Sequence, residues 1–215
     1  MGNTMDRENS WRHIEQQRRA IAALLADLTP SEWETPSLCT GWRVREVAAH
    51  IAATPNPPSP GVLLRTALRV RGDYNRMIDD LTTRHARRPT SELVRELRDQ
   101  AASRRLPKLT NYRNILFDTI VHGQDIAIPL GRDLDVDPEA AAAGADTAAA
   151  CGWPVWDRHR LDGIRLVATD VDWTHGAGSE IEGPILALLL LVTGRTAALD
   201  QVAGEGIPRL SRQLA

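Results

Sequence analysis

Apolar residues recur at helical spacing through most of the chain, and this pattern predicts a mainly α-helical fold. In the first segment, about 8–28, the apolar stripe contains Ile14, Ile21, Leu24, Leu25 and Leu28, and Thr29-Pro30 ends the helix. The same spacing predicts further helices over about 42–54, 61–81, 91–104 and 112–130, and one that begins at Asp137-Pro138. Helices of these lengths are typical of a helical bundle.

The pattern changes after Trp156. The run LDGIRLVATDVDW alternates between apolar and polar residues and predicts a β-strand. We expect THGAGS to form a turn and EIEG to form a returning strand. A buried helix in GPILALLLLVTGR ends at Gly194, and a short helix over about 207–214 follows. We therefore expect two domains, a helical bundle at 1–153 and a small α+β domain at 154–215.

Residues 111–132, NYRNILFDTIVHGQDIAIPLGR, place a polar stripe beside the apolar face of a helix that Gly131 closes. Asp118, His122 and Asp125 are spaced i, i+4 and i+7, so their side chains point the same way. Asp118 and His122 are suitable ligands for a divalent metal, and Asp125 could orient the imidazole of His122. The alternative is a solvated pair of the kind that many helices carry.

Composition narrows the choice of partners and location. The 215 residues are 42% hydrophobic and 25% charged, with a formal net charge of -2, which argues against a dominant nucleic-acid or anionic-membrane partner. Cys39 and Cys151 form no CxxC motif or disulfide framework. The first residues contain no secretory signal, and the longest apolar run, at 185–192, is too short to span a bilayer. We expect a cytoplasmic protein; the sequence leaves its oligomeric state open.

His50, at the edge of the apolar face of the second predicted helix, is the candidate third ligand. A bundle brings side chains from facing helices together in its core. Two histidines and one carboxylate would form an open site with a position for water or substrate. The alternative role of His50 is that of an ordinary core or surface histidine. Zinc suits this ligand set, although nickel, cobalt, iron and copper are chemically compatible with it.

Three segments together resemble the mycothiol-dependent maleylpyruvate isomerase family: PSLCTGWRVREVAAHIA, FDTIVHGQDIAIPLGR and VATDVDWTHGAGSEIEGPILALLLLVTGR. The resemblance implies a DinB-like metal-binding four-helix bundle followed by the family's small α+β C-terminal domain. It also implies that His50, Asp118 and His122 are the metal ligands. The isomerase itself resembles the version with Glu as the carboxylate ligand, whereas this chain has Asp118, which is shorter by one methylene.

The function that the resemblance implies is thiol chemistry. A divalent metal, with zinc expected, would activate mycothiol, a low-molecular-weight thiol, for transfer to a small electrophile or for its isomerisation. No catalytic residue beyond this metal–thiolate centre is expected, and the residues that bind mycothiol are unknown. The alternative is a non-catalytic metal-binding or regulatory DinB-like protein. A third reading, in which arginine-rich helices bind nucleic acid, is weaker because the net charge is slightly negative.

Several other residues are candidates for the rim of the site. Arg132 would pair with Asp125 or meet an anionic substrate, although any arginine is favourable at a helix C-terminus. Asp170, Trp173 and His175 cluster near the predicted turn of the tail, where they either stabilise the turn or cover the metal position, with His175 as a candidate fourth ligand. Cys39 and Cys151 are expected to be packed small residues rather than nucleophiles.

Overall fold

A computed structural model describes residues 5–107, 110–151 and 158–214, and within them the fold is mainly helical, as predicted. The helices are α1 Arg7–Ala26, α2 Val44–Ala53, α3 Pro60–Arg69, α4 Tyr74–His85, α5 Thr90–Asp99, α6 Tyr112–Ala127, α7 Pro138–Ala150, α8 Ile185–Val192 and α9 Ile207–Leu214. The strands are β1 Ile164–Ala168, β2 Thr174–Gly176 and β3 Ser179–Gly183. Among these residues, no helix combines the length and the apolar character needed to cross a bilayer.

Helices α1, α2, α5 and α6 form a four-helix bundle. Each of them packs against two others of the four, in the cyclic order α1, α6, α2 and α5. Ile21 and Leu25 from α1 meet Val47 and Ile51 from α2 in a core that also contains Leu97 of α5. This core fixes the relative positions of α2 and α6, which carry the three candidate metal ligands.

The start of α2 is held by its own side chains. Glu46 accepts hydrogen bonds from the backbone nitrogen of Arg43, at 3.0 Å, and from Nη2 of the same residue, at 2.7 Å. The residue at the cap position is Arg43. The bond between Glu46 and the Arg43 backbone satisfies an amide that a helix start leaves without a partner, and it favours a helix start at Val44.

The single helix predicted over 61–81 is wrong, because the chain forms two helices there. Between α3 and α4, Arg71 and Gly72 have φ of 56° and 76°, which no α-helix accommodates. Gly72 adopts this left-handed conformation without a steric penalty, whereas Arg71 does so at a cost. Asp73 then caps α4, since its carboxylate accepts a hydrogen bond from the backbone nitrogen of Arg76 at 3.0 Å.

The tail contains a three-stranded sheet in the order β2-β1-β3. The segment THGAGS, expected to be a turn, includes β2, which pairs antiparallel with β1. The strand β3, expected to return antiparallel, runs parallel to β1 instead. The chain crosses from one edge of the sheet to the other through Gly176 and Gly178. A Cβ on Gly178 would lie 2.2 Å from the carbonyl oxygen of Gly163, so only glycine permits this crossing.

The tail shares a hydrophobic core with α6 and α7. Leu188 and Leu189 of α8 are fully buried in a cluster that also contains Ile120 of α6 and Ala145 of α7. This packing brings the end of α8, and with it Arg195, beside α6. The expected boundary at 153/154 lies outside the described residues, and the division into two domains stays a prediction.

Candidate functional site

The structure brings His50, Asp118 and His122 together at one place on the bundle. Oδ1 of Asp118 lies 3.6 Å from Nε2 of His50 and 3.5 Å from Nε2 of His122, and the two imidazole centroids are 4.9 Å apart. Asp118 and His122 lie one turn apart on α6, and α2 supplies His50 from the facing helix. Their side chains are 28%, 12% and 20% exposed, so solvent reaches the group. The site is open.

The geometry of these three side chains fits a tetrahedral metal site. Two ligands that each lie about 2.1 Å from a tetrahedral ion are separated by about 3.4 Å. The observed separations of 3.5 and 3.6 Å from Asp118 are close to that value, and all three ligand atoms lie within 4.8 Å of one another. Two imidazole nitrogens and one carboxylate oxygen are ligands that zinc accepts, with the fourth position left for another molecule.

Asp125 supports His122 from behind. Its Oδ2 lies 2.8 Å from Nδ1 of His122, so this nitrogen carries a proton, and Nε2 is the ring nitrogen that faces Asp118 and His50. Asp125 is fully buried, and a buried carboxylate needs further partners. The expected supporting role of Asp125 thus has a matching contact in the structure.

Arg195 supplies those partners, and the sequence reasoning missed it. Its Nε and Nη2 donate to the two carboxylate oxygens of Asp125 at 3.0 and 2.7 Å, while Nη1 donates to the carbonyl oxygen of Thr193. Gly194, with φ of 85°, ends α8 and turns the chain toward this position. The two residues are 70 positions apart, and the only local signal was an arginine directly after a buried helix.

Two more side chains position His50. Oγ1 of Thr82, on α4, lies 3.5 Å from Nδ1 of His50. The ring of Trp42 is 5.4 Å from the imidazole of His50 and 6.2 Å from that of His122, and its Nε1 donates to Asp79 at 2.9 Å. Trp42 therefore forms an aromatic wall against both imidazoles.

The charges of the site favour an ionised carboxylate beside its imidazoles. Burial acts to raise the pKa of Asp118, but His122, His50 and Arg195 outweigh it and lower that pKa to about 2. Burial acts to lower the pKa of His122, whereas Asp118 and Asp125 raise it above its ordinary value. The pKa of Asp125 is lowered because His122 and Arg195 outweigh the effect of its burial. Both carboxylates are thus ionised at neutral pH.

A buried arginine lies within electrostatic range of Asp118. Arg18 of α1 is fully buried, and its Nη1 donates to the carbonyl oxygen of Ser103 at 2.9 Å. Its Nε and Nη2 have no hydrogen-bond partner among the described residues. Burial lowers the pKa of Arg18 to about 10, an effect that the charge of Asp118 partly opposes. The guanidinium stays charged at neutral pH and adds to the positive potential around Asp118.

Cys39 lies closer to the site than its sequence context indicated. Its thiol forms a second group of candidate ligands with His122 and Asp125. Burial and the charge of Asp125 raise the pKa of Cys39 to about 11, so the thiol is protonated at neutral pH. His122 and Asp125 already bind each other, and Arg195 holds both carboxylate oxygens of Asp125. The contacts therefore favour the group formed by His50, Asp118 and His122.

Replacing Cys39 with serine is expected to leave the metal content of the purified protein unchanged. The serine hydroxyl is a poor ligand but fills nearly the same volume, so this substitution separates ligation from packing. Inductively coupled plasma mass spectrometry on wild type and Cys39→Ser makes the comparison. A loss of bound metal in Cys39→Ser would show that the second group of ligands is the one in use.

The candidate rim residues of the tail lie in other contacts. Oδ1 of Asp170 accepts from the backbone nitrogen of Ile185 at 2.8 Å, at the start of α8. Trp173 is buried, and its Nε1 donates to Asp146 of α7 at 2.8 Å, while His175 stacks on its indole with centroids 6.0 Å apart. These contacts match the structural alternative that the sequence left open for the tail. A role for them at the rim stays a prediction.

Arg132 pairs with a residue other than Asp125. Its Nη2 lies 3.1 Å from Oε1 of Glu32, near the surface, while Asp125 is bound by His122 and Arg195. Hydrogen bonds from the backbone nitrogen and the hydroxyl of Thr29, together with the contact with Arg132, lower the pKa of Glu32 to about 2. Glu32 is therefore charged at neutral pH and can pair with Arg132. The role of Arg132 toward an anionic substrate stays a prediction.

Comparisons with known proteins agree with this architecture. Residues 14–127 match the family described as the mycothiol maleylpyruvate isomerase N-terminal domain, and they make up more than half of the chain. The search of curated proteins found no match. The match contains all three candidate ligands and the bundle from residue 14 onward.

Two solved structures have a similar fold. One is a crystal structure of the mycothiol-dependent maleylpyruvate isomerase, with a TM-score of 0.59, and the other is a histidine-to-alanine mutant of that isomerase, with a TM-score of 0.61. Each is 12% identical in sequence, and the alignment covers 94% of this chain and 93% of the other. The likeness therefore extends over both the bundle and the tail. The chain belongs to the mycothiol maleylpyruvate isomerase N-terminal domain family.

Proposed function

We propose that this chain is a mycothiol-dependent metalloenzyme whose divalent metal, zinc, is held by His50, Asp118 and His122. The observation that carries the proposal is the arrangement of two imidazole nitrogens and one carboxylate oxygen, 3.5 and 3.6 Å apart, at a position that solvent reaches. Membership of a family that is named for mycothiol and maleylpyruvate isomerase supports the choice of thiol and of reaction class. The reaction is either transfer of the thiol to a small electrophile or thiol-assisted isomerisation of that electrophile.

The chemistry that a divalent ion supplies at such a site is activation of a thiol. A free thiol with a pKa near 8.5 is mostly protonated at neutral pH, and a coordinated thiol is deprotonated and becomes the nucleophile. The chain has two cysteines among its residues, and the pKa of each is raised by burial. Neither is a ready thiolate, so an added low-molecular-weight thiol is the better nucleophile.

The residues around the ligands prepare the site for this reaction. Asp125 and Arg195 fix the tautomer of His122, so that Nε2 is free to bind the ion. Thr82 and Trp42 restrict the imidazole of His50. Trp42 also excludes water from one side of the two imidazoles, which strengthens electrostatic interactions at the site. The open side is where a thiol and an electrophile would meet.

The experiment that tests the proposal measures metal and thiol binding on the same preparation. We expect about one zinc ion per chain in wild type, and loss of the ion in His50→Ala and Asp118→Ala, because each variant leaves only two ligands of an open site. Isothermal titration with mycothiol is expected to show binding to the zinc-loaded protein and none to the zinc-free protein.

Turnover separates an enzyme from a non-catalytic metal-binding or regulatory protein of the same fold. If zinc and mycothiol bind but no electrophile is consumed faster than in free mycothiol, the regulatory alternative is correct. Failure of the protein to bind metal after careful loading would remove the thiolate mechanism altogether. The cytoplasmic location and the absence of nucleic-acid and membrane partners stay predictions.

A further inference from the structure

The two imidazoles of the candidate metal site are held to different degrees. Nδ1 of His122 lies 2.8 Å from the buried carboxylate of Asp125, and Arg195 fixes that carboxylate in turn. Nδ1 of His50 faces the hydroxyl of Thr82 at 3.5 Å, which is the upper limit for a hydrogen bond. The orientation of His50 therefore depends more on ring packing than that of His122 does.

The ring that packs against both imidazoles is the indole of Trp42. Its centroid lies 5.4 Å from that of His50 and 6.2 Å from that of His122, within the range in which aromatic rings interact. Trp42 is half-buried at the edge of a hydrophobic cluster, so its indole is accessible to solvent as well as to the site. Core packing alone does not fix such a side chain, and its rotamer needs a further restraint.

The backbone of Trp42 is fixed by the loop that precedes α2. Its carbonyl oxygen accepts hydrogen bonds from the backbone nitrogen and from Oγ of Ser37, at 3.0 and 2.8 Å, and its nitrogen donates to the carbonyl oxygen of Cys39 at 3.0 Å. The backbone nitrogen of Leu38 donates to the carbonyl oxygen of Asp125 at 3.2 Å, which connects this loop to α6. These bonds fix the main chain of Trp42 and leave its side-chain torsions to other restraints.

Asp79 supplies a restraint on the indole. Its Oδ1 accepts a hydrogen bond from Nε1 of Trp42 at 2.9 Å. Asp79 lies three residues before Thr82 on α4, so the two side chains are neighbours on the face of α4 that packs against α2. Asp79 is exposed and belongs to neither hydrophobic cluster, so its replacement should cost little stability.

We propose that Asp79 is a positioning residue of the metal site. Its carboxylate fixes the rotamer of Trp42, and that indole holds the imidazoles of His50 and His122 in their binding orientation. The inference rests on the proposed function, since it concerns the metal affinity of the same ligands. A ligand that is already oriented loses less conformational entropy when the ion binds, so the restraint raises metal affinity. The helix α4, which lies outside the four-helix bundle, thereby becomes part of the support of the site.

The test compares the zinc affinity of wild type, Asp79→Leu and Asp79→Asn, by competition with a fluorescent zinc chelator. Asp79→Leu is expected to bind zinc about three- to tenfold more weakly, the factor that corresponds to one net hydrogen bond. Asp79→Asn removes the charge but keeps an oxygen that accepts from the indole, so its zinc affinity is expected to lie within about twofold of wild type.

A second pair of variants tests whether the effect passes through the indole. Trp42→Phe keeps an aromatic ring but removes the N–H group, so it should weaken zinc binding by a factor similar to that of Asp79→Leu. In Asp79→Leu/Trp42→Phe the two losses should not add, because each single variant removes the same hydrogen bond. Additive losses would contradict the inference.

The tail contains a matched control. Nε1 of Trp173 donates to Oδ1 of Asp146 at 2.8 Å, which is the same kind of bond between an indole and a carboxylate. Trp173 is buried, so Asp146→Leu should lower the free energy of unfolding more than Asp79→Leu does. Asp146→Leu should nevertheless keep the zinc affinity of wild type, because this pair supports the tail and not the ligands. The opposite order of the two effects separates positioning from general stability.

A spectroscopic measurement on zinc-free protein tests the first step without metal or turnover. With 5-fluorotryptophan incorporated, the fluorine resonance of Trp42 is assigned by its absence in Trp42→Phe. This resonance is expected to shift and broaden in Asp79→Leu, because the indole then samples several rotamers. In Asp79→Asn it should stay near its wild-type position.

Further outcomes would overturn the inference. One is a wild type that binds zinc together with an Asp79→Leu variant that binds it equally well. Another is an Asp79→Asn variant as weak as Asp79→Leu, because charge and not the hydrogen bond would then be responsible. A Trp42 resonance that is unchanged in Asp79→Leu would also contradict it. A wild type that binds no zinc would contradict the proposed function itself, and with it the role of Asp79 in metal binding.

Discussion

Replacing Arg195 with methionine is expected to lower the free energy of unfolding by about 3–5 kcal/mol, the cost typical of removing one partner of a buried ion pair. Asp125 is fully buried, and Arg195 donates to both of its carboxylate oxygens. Methionine fills much of the same space but leaves the carboxylate with His122 as its remaining charged partner. Urea denaturation of the metal-free wild type and variant, followed by circular dichroism, measures the difference.

Two further variants show whether the loss comes from the unpaired carboxylate. Arg132→Met removes an arginine that pairs with Glu32 near the surface, and it should cost much less than Arg195→Met. Adding Asp125→Asn to Arg195→Met removes the unpaired charge, so it should recover part of the lost stability. If the double variant is as unstable as the sum of the two single variants, the two residues do not act as a pair.

The polar stripe on α6 was predictable because it is local. Helical spacing alone placed Asp118, His122 and Asp125 on one side of a helix, and in the structure Asp125 contacts His122 there. His50 required more, because no local rule links it to a helix that begins about 60 residues later. The resemblance to a known family named it as a ligand, and the structure places it 3.6 Å from Asp118.

The partner of Asp125 was not predictable from its neighbourhood. Arg132 is the nearest arginine in sequence beyond this helix, but it lies near the surface and reaches Glu32. Arg195 is 70 residues away, and it reaches Asp125 because the apolar α8 packs into the core beside α6 and α7. A tertiary contact of this kind depends on how the tail docks, which periodicity does not describe.

The other differences have local physical causes that the sequence obscures. The apolar periodicity continues from α3 into α4, whereas the break between them depends on left-handed backbone at Arg71, a residue that rarely adopts it. The strand pattern of the tail predicted β1 and β3, but alternation carries no information on parallel or antiparallel pairing. That choice depends on the glycines at 176 and 178, which let the chain cross β1 closely.

Replacing His122 with alanine is expected to abolish both metal binding and thiol activation. His122 is one of three candidate ligands. Removing it should therefore lower the metal affinity by more than the roughly 10–100-fold that follows removal of a group that only supports a ligand. Without the ion, a thiol of pKa about 8.5 is only a few per cent thiolate at pH 7, so turnover should fall at least about tenfold. Mass spectrometry of the metal and the rate of mycothiol consumption measure the two effects.

The control for His122→Ala is His175→Ala, which removes an imidazole that stacks on Trp173 in the tail. This variant should keep the metal and the rate if His175 is not a fourth ligand. The two losses in His122→Ala should also appear together, because the ion connects them. A variant that retains full metal occupancy would show that the ligand assignment is wrong. A variant that loses the metal but keeps the rate would support the ligand assignment and would show that the metal-bound thiolate is not the nucleophile.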